Sequence, residues 1–314
     1  MYENLVEKFM DYLTMHKSNS DDDFDEYDVR KLSKNTLTAY RRDIQQLLKE
    51  IELLNIDIKD IQKKNLIQLR TRFRDEHGLA PTSINRKMIS WKIFFDFMGI
   101  EIEMPKQIPI SQSNIIEKVE CTNNDIIRTL RQIEKDDSYK AIRTKTILLT
   151  LFYTGARISE ALSLKVNDIP TTSKGFTVKI IGKGNKERNL YIPKPLETAL
   201  KEYLKHRLDT HSEALFTGER GAFTRNTFAN DLNHYASSKG KIKTGVVHPH
   251  ALRHLFCQNV SVLSEQGKCN LNYSAIQEIM GHTFKTVTDR YAMLKQETVI
   301  TEMAKLEILL QEKK

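Results

Sequence analysis

The chain lacks any run approaching the ~20 consecutive apolar residues that a membrane-crossing helix needs. Its first residues, MYENLVEKFMDYL, do not have the pattern of a signal peptide. Cysteine is scarce: Cys121, Cys257 and Cys269 are odd in number, far apart and form no CxxC pair. Neither a disulfide framework nor a thiolate zinc site is suggested by that pattern, and a reducing cytoplasm fits it best. No internal repeat and no HExxH pattern is present. What remains is a chain of 314 residues, 39% hydrophobic and 29% charged, enough for about two ordinary domains with real cores.

Positive charge is abundant and unevenly opposed. The formal net charge is +8, yet Asp21, Asp22, Asp23, Asp25, Glu26 and Asp28 crowd six negative charges into eight residues. Without that run the rest of the chain carries +14. Such an excess suits a polyanionic partner, because each neutralised phosphate releases counterions. Solubility alone would also account for it.

Helical periodicity dominates the first hundred residues. Leu5, Phe9 and Leu13 recur on one face, and Ile44, Leu47, Leu48, Ile51 and Leu54 mark another. Ser33 is placed to cap a helix over Lys34–Glu50, and Pro81 to open one running to Phe97 and stopped by Gly99. The acidic segment 18–30 reads as an exposed loop, since clustered like charges repel and bury little. EIEMPKQIPISQSNIIEK, with two prolines, reads as an extended linker. Beyond it, Ile142 to Phe152 is almost wholly apolar and predicts a buried helix. Phe176–Ile181 and Glu187–Ile192 alternate as strands around Gly182-Lys183-Gly184-Asn185-Lys186, a hairpin turn. Turns are expected at Gly240, Gly267 and Gly281.

Several polar residues stand beside apolar segments. Arg157 opens a helix over Ile158–Leu164 directly after the buried one, with Glu160 one turn on. The two form either a structural pair or an oriented anion ligand. Lys183 and Lys186 lie in the hairpin turn, solvated or presenting a proton donor. In His248-Pro249-His250-Ala251-Leu252-Arg253-His254 a helix starts near Pro249, so His250 and Arg253 share a face. His250 and His254, four apart, could alternatively chelate a metal. His282 follows the turn at Gly281, and Tyr291 lies nine residues later. Two arginines, two histidines, a lysine and a tyrosine make a set suited to phosphoryl transfer without a metal. The arginines would neutralise the equatorial oxygens, a tyrosine would attack, and lysine or histidine would protonate the leaving oxygen.

TGARISEALSL (154–164), IGKGNKER (181–188), HPHALRH (248–254) and MGHTFKTVTDRY (280–291), in this order, resemble the tyrosine recombinase (phage integrase) family, in its Xer-like or mobile-element branch. KLSKNTLTAYRRDI (31–44) and TSINRKMISWKIFFDFM (82–98) resemble its DNA-clamping domain. The resemblance implies a mainly α fold with a small antiparallel sheet in the C-terminal domain, the two domains closing on DNA as a C-clamp. The domains would be a helical DNA-clamping domain at 1–102, a linker at 103–118 and a catalytic domain at 119–314. No arm-binding domain is expected before the clamp, and the acidic segment 18–30 is a departure from the family.

Carried over by motif, Arg157 and Arg253 would cradle the scissile phosphate. Lys183, rather than Lys186, would be the general acid, His250 the proton acceptor, and His282 a phosphate ligand. Tyr291 would form the 3′-phosphotyrosine, with Glu160 steadying the site and His248 and His254 structural. Lys34, Arg41, Arg42, Arg86, Lys87 and Lys92 would contact DNA. Neither metal nor nucleotide cofactor is implied. The expected partners are a double-stranded recombination site and a tetramer, of this chain alone or with a related recombinase, working through a Holliday junction. An amphipathic helix over 297–312 would dock on a neighbouring protomer or on its own domain. The biological task would be dimer or cointegrate resolution, or integration and excision of a mobile element. An architectural DNA-binding protein and a type IB topoisomerase are the rival readings; covalent trapping and plasmid relaxation without recombinants would tell them apart.

Overall fold

The computed structural model describes residues 2–15, 32–109, 121–169, 176–182, 187–208, 211–219, 221–237, 242–271 and 279–280. The chain divides into two compact units, Met1–Glu117 and Lys118–Lys314. The acidic segment 18–30, the turns expected at Gly240 and Gly281 and the helix expected at 297–312 lie outside the described residues.

Among the described residues the N-terminal unit has four α-helices: α1 Glu3–Met15, α2 Lys34–Leu53, α3 Lys63–Asp75 and α4 Pro81–Phe97. Ser33 caps α2 as its spacing predicts, its hydroxyl accepting from the Thr36 amide at 3.1 Å. Pro81 occupies the first turn of α4, where its missing N–H is no loss. Gly99 ends that helix at φ +66°, a left-handed turn that costs glycine little. The expected stripes meet in one core: Phe9 from α1, Ile44 and Leu48 from α2, Phe73 from α3, Trp91 and Phe94 from α4.

The segment 101–109 is irregular, as its prolines predict, but it is fastened rather than free. The Asn85 side chain accepts from the Ile108 amide (2.8 Å) and donates to the Ile108 carbonyl (2.9 Å). Arg70 donates to the Lys106 carbonyl at 2.8 Å, while Ile102, Met104 and Ile108 pack against the unit's core. Period alone does not reveal this strap, because its partners lie 23 and 36 residues away in α4 and α3.

The C-terminal unit contains α5 Asn123–Ile133, α6 Tyr139–Thr154, α7 Ile158–Leu162, β1 Phe176–Ile181, β2 Glu187–Ile192, α8 Lys194–His206, the two-residue strands β3 Thr217–Gly218 and β4 Gly221–Ala222, α9 Arg225–Ala236 and α10 Pro249–Glu265. The fold is mainly α with small antiparallel sheets. β1 and β2 have the expected bounds and pair from Phe176↔Ile192 to Ile181↔Glu187. α6 is buried along most of its length although it carries threonines, because Thr144, Thr146, Thr150 and Thr154 each donate to the carbonyl four residues back. α7 stops two residues short of the expected Leu164. The Leu164 carbonyl instead accepts from the Leu215 amide at 2.7 Å, a tertiary bond that ends the helix. Among the described residues no helix is long and apolar enough to cross a membrane.

Candidate active site

The site begins where α6 ends. Gly155 turns the chain at φ +61°, and a Cβ there would lie 2.5 Å from the Phe256 ring and 2.9 Å from the Met280 sulfur. Only glycine fits both the backbone and the space. The turn brings Arg157 to the start of α7, where Glu160 accepts its backbone N–H (2.7 Å, Oε2) and its guanidinium (2.8 Å, Oε1). Glu160 is 4% exposed, whereas 32% of the Arg157 side chain remains open. The predicted pair is therefore present, with its carboxylate sunk and its guanidinium partly free.

A third residue completes this cluster. Arg188 of β2 donates to Glu160 Oε2 at 2.7 Å and to the Ile279 carbonyl. Only 9% of its side chain is exposed. Burial presses its guanidinium below the ordinary value, aided by the like charge of Arg157 and opposed by Glu160. For Glu160 burial pushes upward. The Arg157 amide, the Arg188 charge and the hydrogen bonds from both arginines outweigh it and hold the carboxyl below its ordinary 4.5.

Arg253 enters from α10, which Pro249 opens and whose inner face buries Leu252, Arg253 and Phe256. Its two terminal nitrogens donate to the Gly155 and Met280 carbonyls, and it makes no ion pair among the described residues. A carbonyl orients a guanidinium without discharging it. Burial, with Arg157 and Arg188 as like-charged neighbours, pushes Arg253 down to about 10, against a smaller pull from Glu160. It therefore stays cationic at neutral pH. Among the described residues two guanidiniums share the Glu160 carboxylate and a third stands beside them without an ion pair, an arrangement that favours an entering anion.

His250 stands in the first turn of α10, and its Nε2 lies 3.1 Å from Nε2 of His254. The i,i+4 pairing is thus real. Among the described residues no group of three His, Cys, Asp or Glu side chains could hold a metal. His248 caps the helix, with Nδ1 3.2 Å from the Val246 carbonyl. Lys183, Lys186, His282 and Tyr291 lie outside the described residues.

In the N-terminal unit the six candidate DNA contacts separate into kinds. Lys34 and Arg42 are exposed and make no ion pair among the described residues. Arg41 pairs with Glu7 (2.9 Å from its second nitrogen) and Arg86 with Asp43 (2.9 Å), both at the surface edge. Lys92 lines a groove between α4 and the strap. Lys87 differs: it is buried, donating to Asp43 and Gln46 at 2.8 Å each, with the Phe73 ring 5.5 Å beneath. Its charge is consumed inside the unit, so the geometry speaks against Lys87 as a DNA contact.

Arg188 was not among the residues that motif spacing singles out, although a signal for it exists. Strand alternation puts residues 188, 190 and 192 on one face, and Leu190 and Ile192 there are buried against Val178 and Ile180. An arginine on the buried face of a strand requires a partner.

The phage integrase family model matches residues 121–298, and that family's N-terminal SAM-like domain matches 22–100. The chain belongs to the phage integrase family. It is 30% identical to tyrosine recombinase XerC of Roseiflexus castenholzii, over 88% of each chain. With tyrosine recombinase XerD of Brucella melitensis it shares 27%, over 85% of this chain and 89% of the relative. Among solved structures, a lambda integrase tetramer bound to a Holliday junction superposes with a TM-score of 0.65 at 13% identity, over 92% of this chain and 76% of that one. A Tn1549 transposon integrase bound to circular intermediate DNA gives 0.61 at 21%, over 96% and 99%. At such identities the solved structures speak for the two-domain fold. The recombinase is an enzyme of site-specific DNA strand cleavage and rejoining.

Proposed function

We propose that Tyr291 attacks the scissile phosphate of a recombination site, forming a 3′-phosphotyrosine bond as the P–O bond to the 5′ oxygen breaks. Arg157 and Arg253 neutralise the non-bridging oxygens, and Glu160 holds Arg157 in place. His250 accepts the tyrosine proton, Lys183 protonates the departing 5′ oxygen, and His282 hydrogen-bonds the phosphate. The released 5′ hydroxyl of a partner duplex then attacks the phosphotyrosine, which conserves the phosphodiester energy, so no ATP is consumed. The neutralisation that a metal supplies in many phosphoryl-transfer enzymes falls to arginines here.

One observation carries this reading. Arg253 is buried beside Arg157 and Arg188, held by carbonyls and left undischarged. A scissile phosphate is the anion that such a site suits, because its charge spreads over oxygens that guanidinium forks can reach. The N-terminal unit adds Lys34, Arg41, Arg42, Arg86 and Lys92, which contact phosphates of the same duplex. Four protomers pair two sites in the cytoplasm and pass through a Holliday junction, the helix at 297–312 docking on a neighbour. Resolution of dimers or cointegrates and integration or excision of an element are both served by this chemistry.

The test is covalent trapping on a nicked suicide duplex in EDTA. The unaltered protein should form an adduct, and Y291F should bind the duplex and form none. An adduct with Y291F, or loss of cleavage on chelation, overturns the assignment.

A further inference from the structure

Both oxygens of Glu160 are occupied. Oε1 accepts from the Arg157 guanidinium at 2.8 Å, and Oε2 accepts from the Arg157 amide and from Arg188, each at 2.7 Å. The other terminal nitrogen of Arg188 holds the Ile279 carbonyl. The next carbonyl, of Met280, is held by Arg253. Two successive carbonyls, three and two residues before His282, are therefore gripped by guanidiniums from different elements, β2 and α10. Arg188 itself is too buried to face an incoming phosphate. Leu190 and Ile192 show that an aliphatic side chain suits its strand face. What a guanidinium adds is a rigid planar fork that spans a carboxylate on one element and a carbonyl on another.

We propose that Arg188 is a positioning residue of the recombinase: it orients Glu160, and through it the Arg157 guanidinium, toward the scissile phosphate while anchoring the Ile279 carbonyl beside the Arg253-held Met280. This inference rests on Arg157 being a phosphate ligand. A lysine at 188 would keep the charge but, as a single ammonium on a flexible stem, would not hold both acceptors in fixed geometry. The site would remain cationic and lose its alignment, and alignment is the property on which cleavage rates depend steeply.

The experiment compares single-turnover cleavage by the full chain and by R188K on two nicked duplexes. One has an ordinary scissile phosphate. The other has a methylphosphonate, whose missing negative charge leaves Arg157 little to neutralise. On the ordinary phosphate R188K should cleave about 10- to 100-fold more slowly at saturating DNA, with affinity within about threefold. On the methylphosphonate the gap should narrow by roughly tenfold, because the mispositioned cation no longer matters. A purely architectural role would slow both substrates equally, and that result, or unimpaired cleavage by R188K, overturns the proposal. If R188K melts, E160Q/R188Q removes both charges of the buried pair together, which folds better than breaking it. That variant should show the same defect and the same narrowing, and full activity in it refutes the role. Adduct formation by the unaltered chain, and its absence with Y291F on the same gel, tests the underlying reading separately.

Discussion

Each unit of the recombinase sets a buried carboxylate among cations of other elements, and Asp43 and Glu160 are used in opposite ways. In the N-terminal unit Asp43 of α2 gathers Arg86, Lys87 and Ser90 of α4, so the cations converge on the acid and the helices are tied together. In the C-terminal unit Glu160 gathers Arg157 and Arg188, but a third guanidinium, Arg253, is held beside them by carbonyls alone. A carboxylate fixes a cation and cancels it, whereas a carbonyl fixes it and leaves its charge available. Both clusters bury arginine or lysine next to an acid. The kind of acceptor around them decides whether the result is a clasp or an anion site.

The comparison breaks most visibly at Arg253. R253Q should lower the rate of covalent cleavage by about 100- to 1,000-fold at saturating DNA, measured by single-turnover trapping, since it removes charge stabilisation aimed at the reacting phosphate. A small effect would make the carbonyl-held guanidinium another clasp. Asp43 should behave in reverse. D43N leaves Lys87 buried without its counter-charge and should cost about 3 kcal/mol of stability in denaturant melts, with cleavage per bound complex unchanged. A matched loss of cleavage rate would erase the distinction between the clusters.

Acid sharpens the same contrast. Glu160 has a folded value below its ordinary 4.5, so its ionisation contributes stability above about pH 4.5, and that contribution is lost as the pH falls through the folded value. Thermal melts of the full chain and E160Q should differ most at neutral pH and converge in acid, which a pH series of melting temperatures reads directly. The smallest effect belongs to the exposed cations. R42A should weaken DNA binding at low salt and reduce the slope of log affinity against log salt by about one, with no change in melting temperature.

Much of this architecture was legible in the sequence because its determinants are short-range. Ser33 caps the helix that starts at Lys34 by accepting an amide three residues on, Pro81 and Pro249 open helices where they stand, and the hairpin strands have the bounds that alternation predicts. Arg157 and Glu160 meet as i,i+3 spacing requires. Period-based reading does less well where a local rule competes with a tertiary bond. α7 yields Leu164 to Leu215, the strap at 101–109 is tied to α3 and α4, and Lys87 looks like its exposed neighbours until α2 presents Asp43.

By itself the sequence determined the helices, the hairpin and the order of the chemically capable residues, since capping, periodicity and motif spacing act over a few positions. Tertiary structure alone decided which cations remain available. Arg188 reaches Glu160 across 28 residues and Ile279 across 91, and Arg253 reaches Gly155 across 98. Whether a buried guanidinium meets a carboxylate that cancels its charge or a carbonyl that only aims it depends on what folding brings alongside, and no local pattern encodes that.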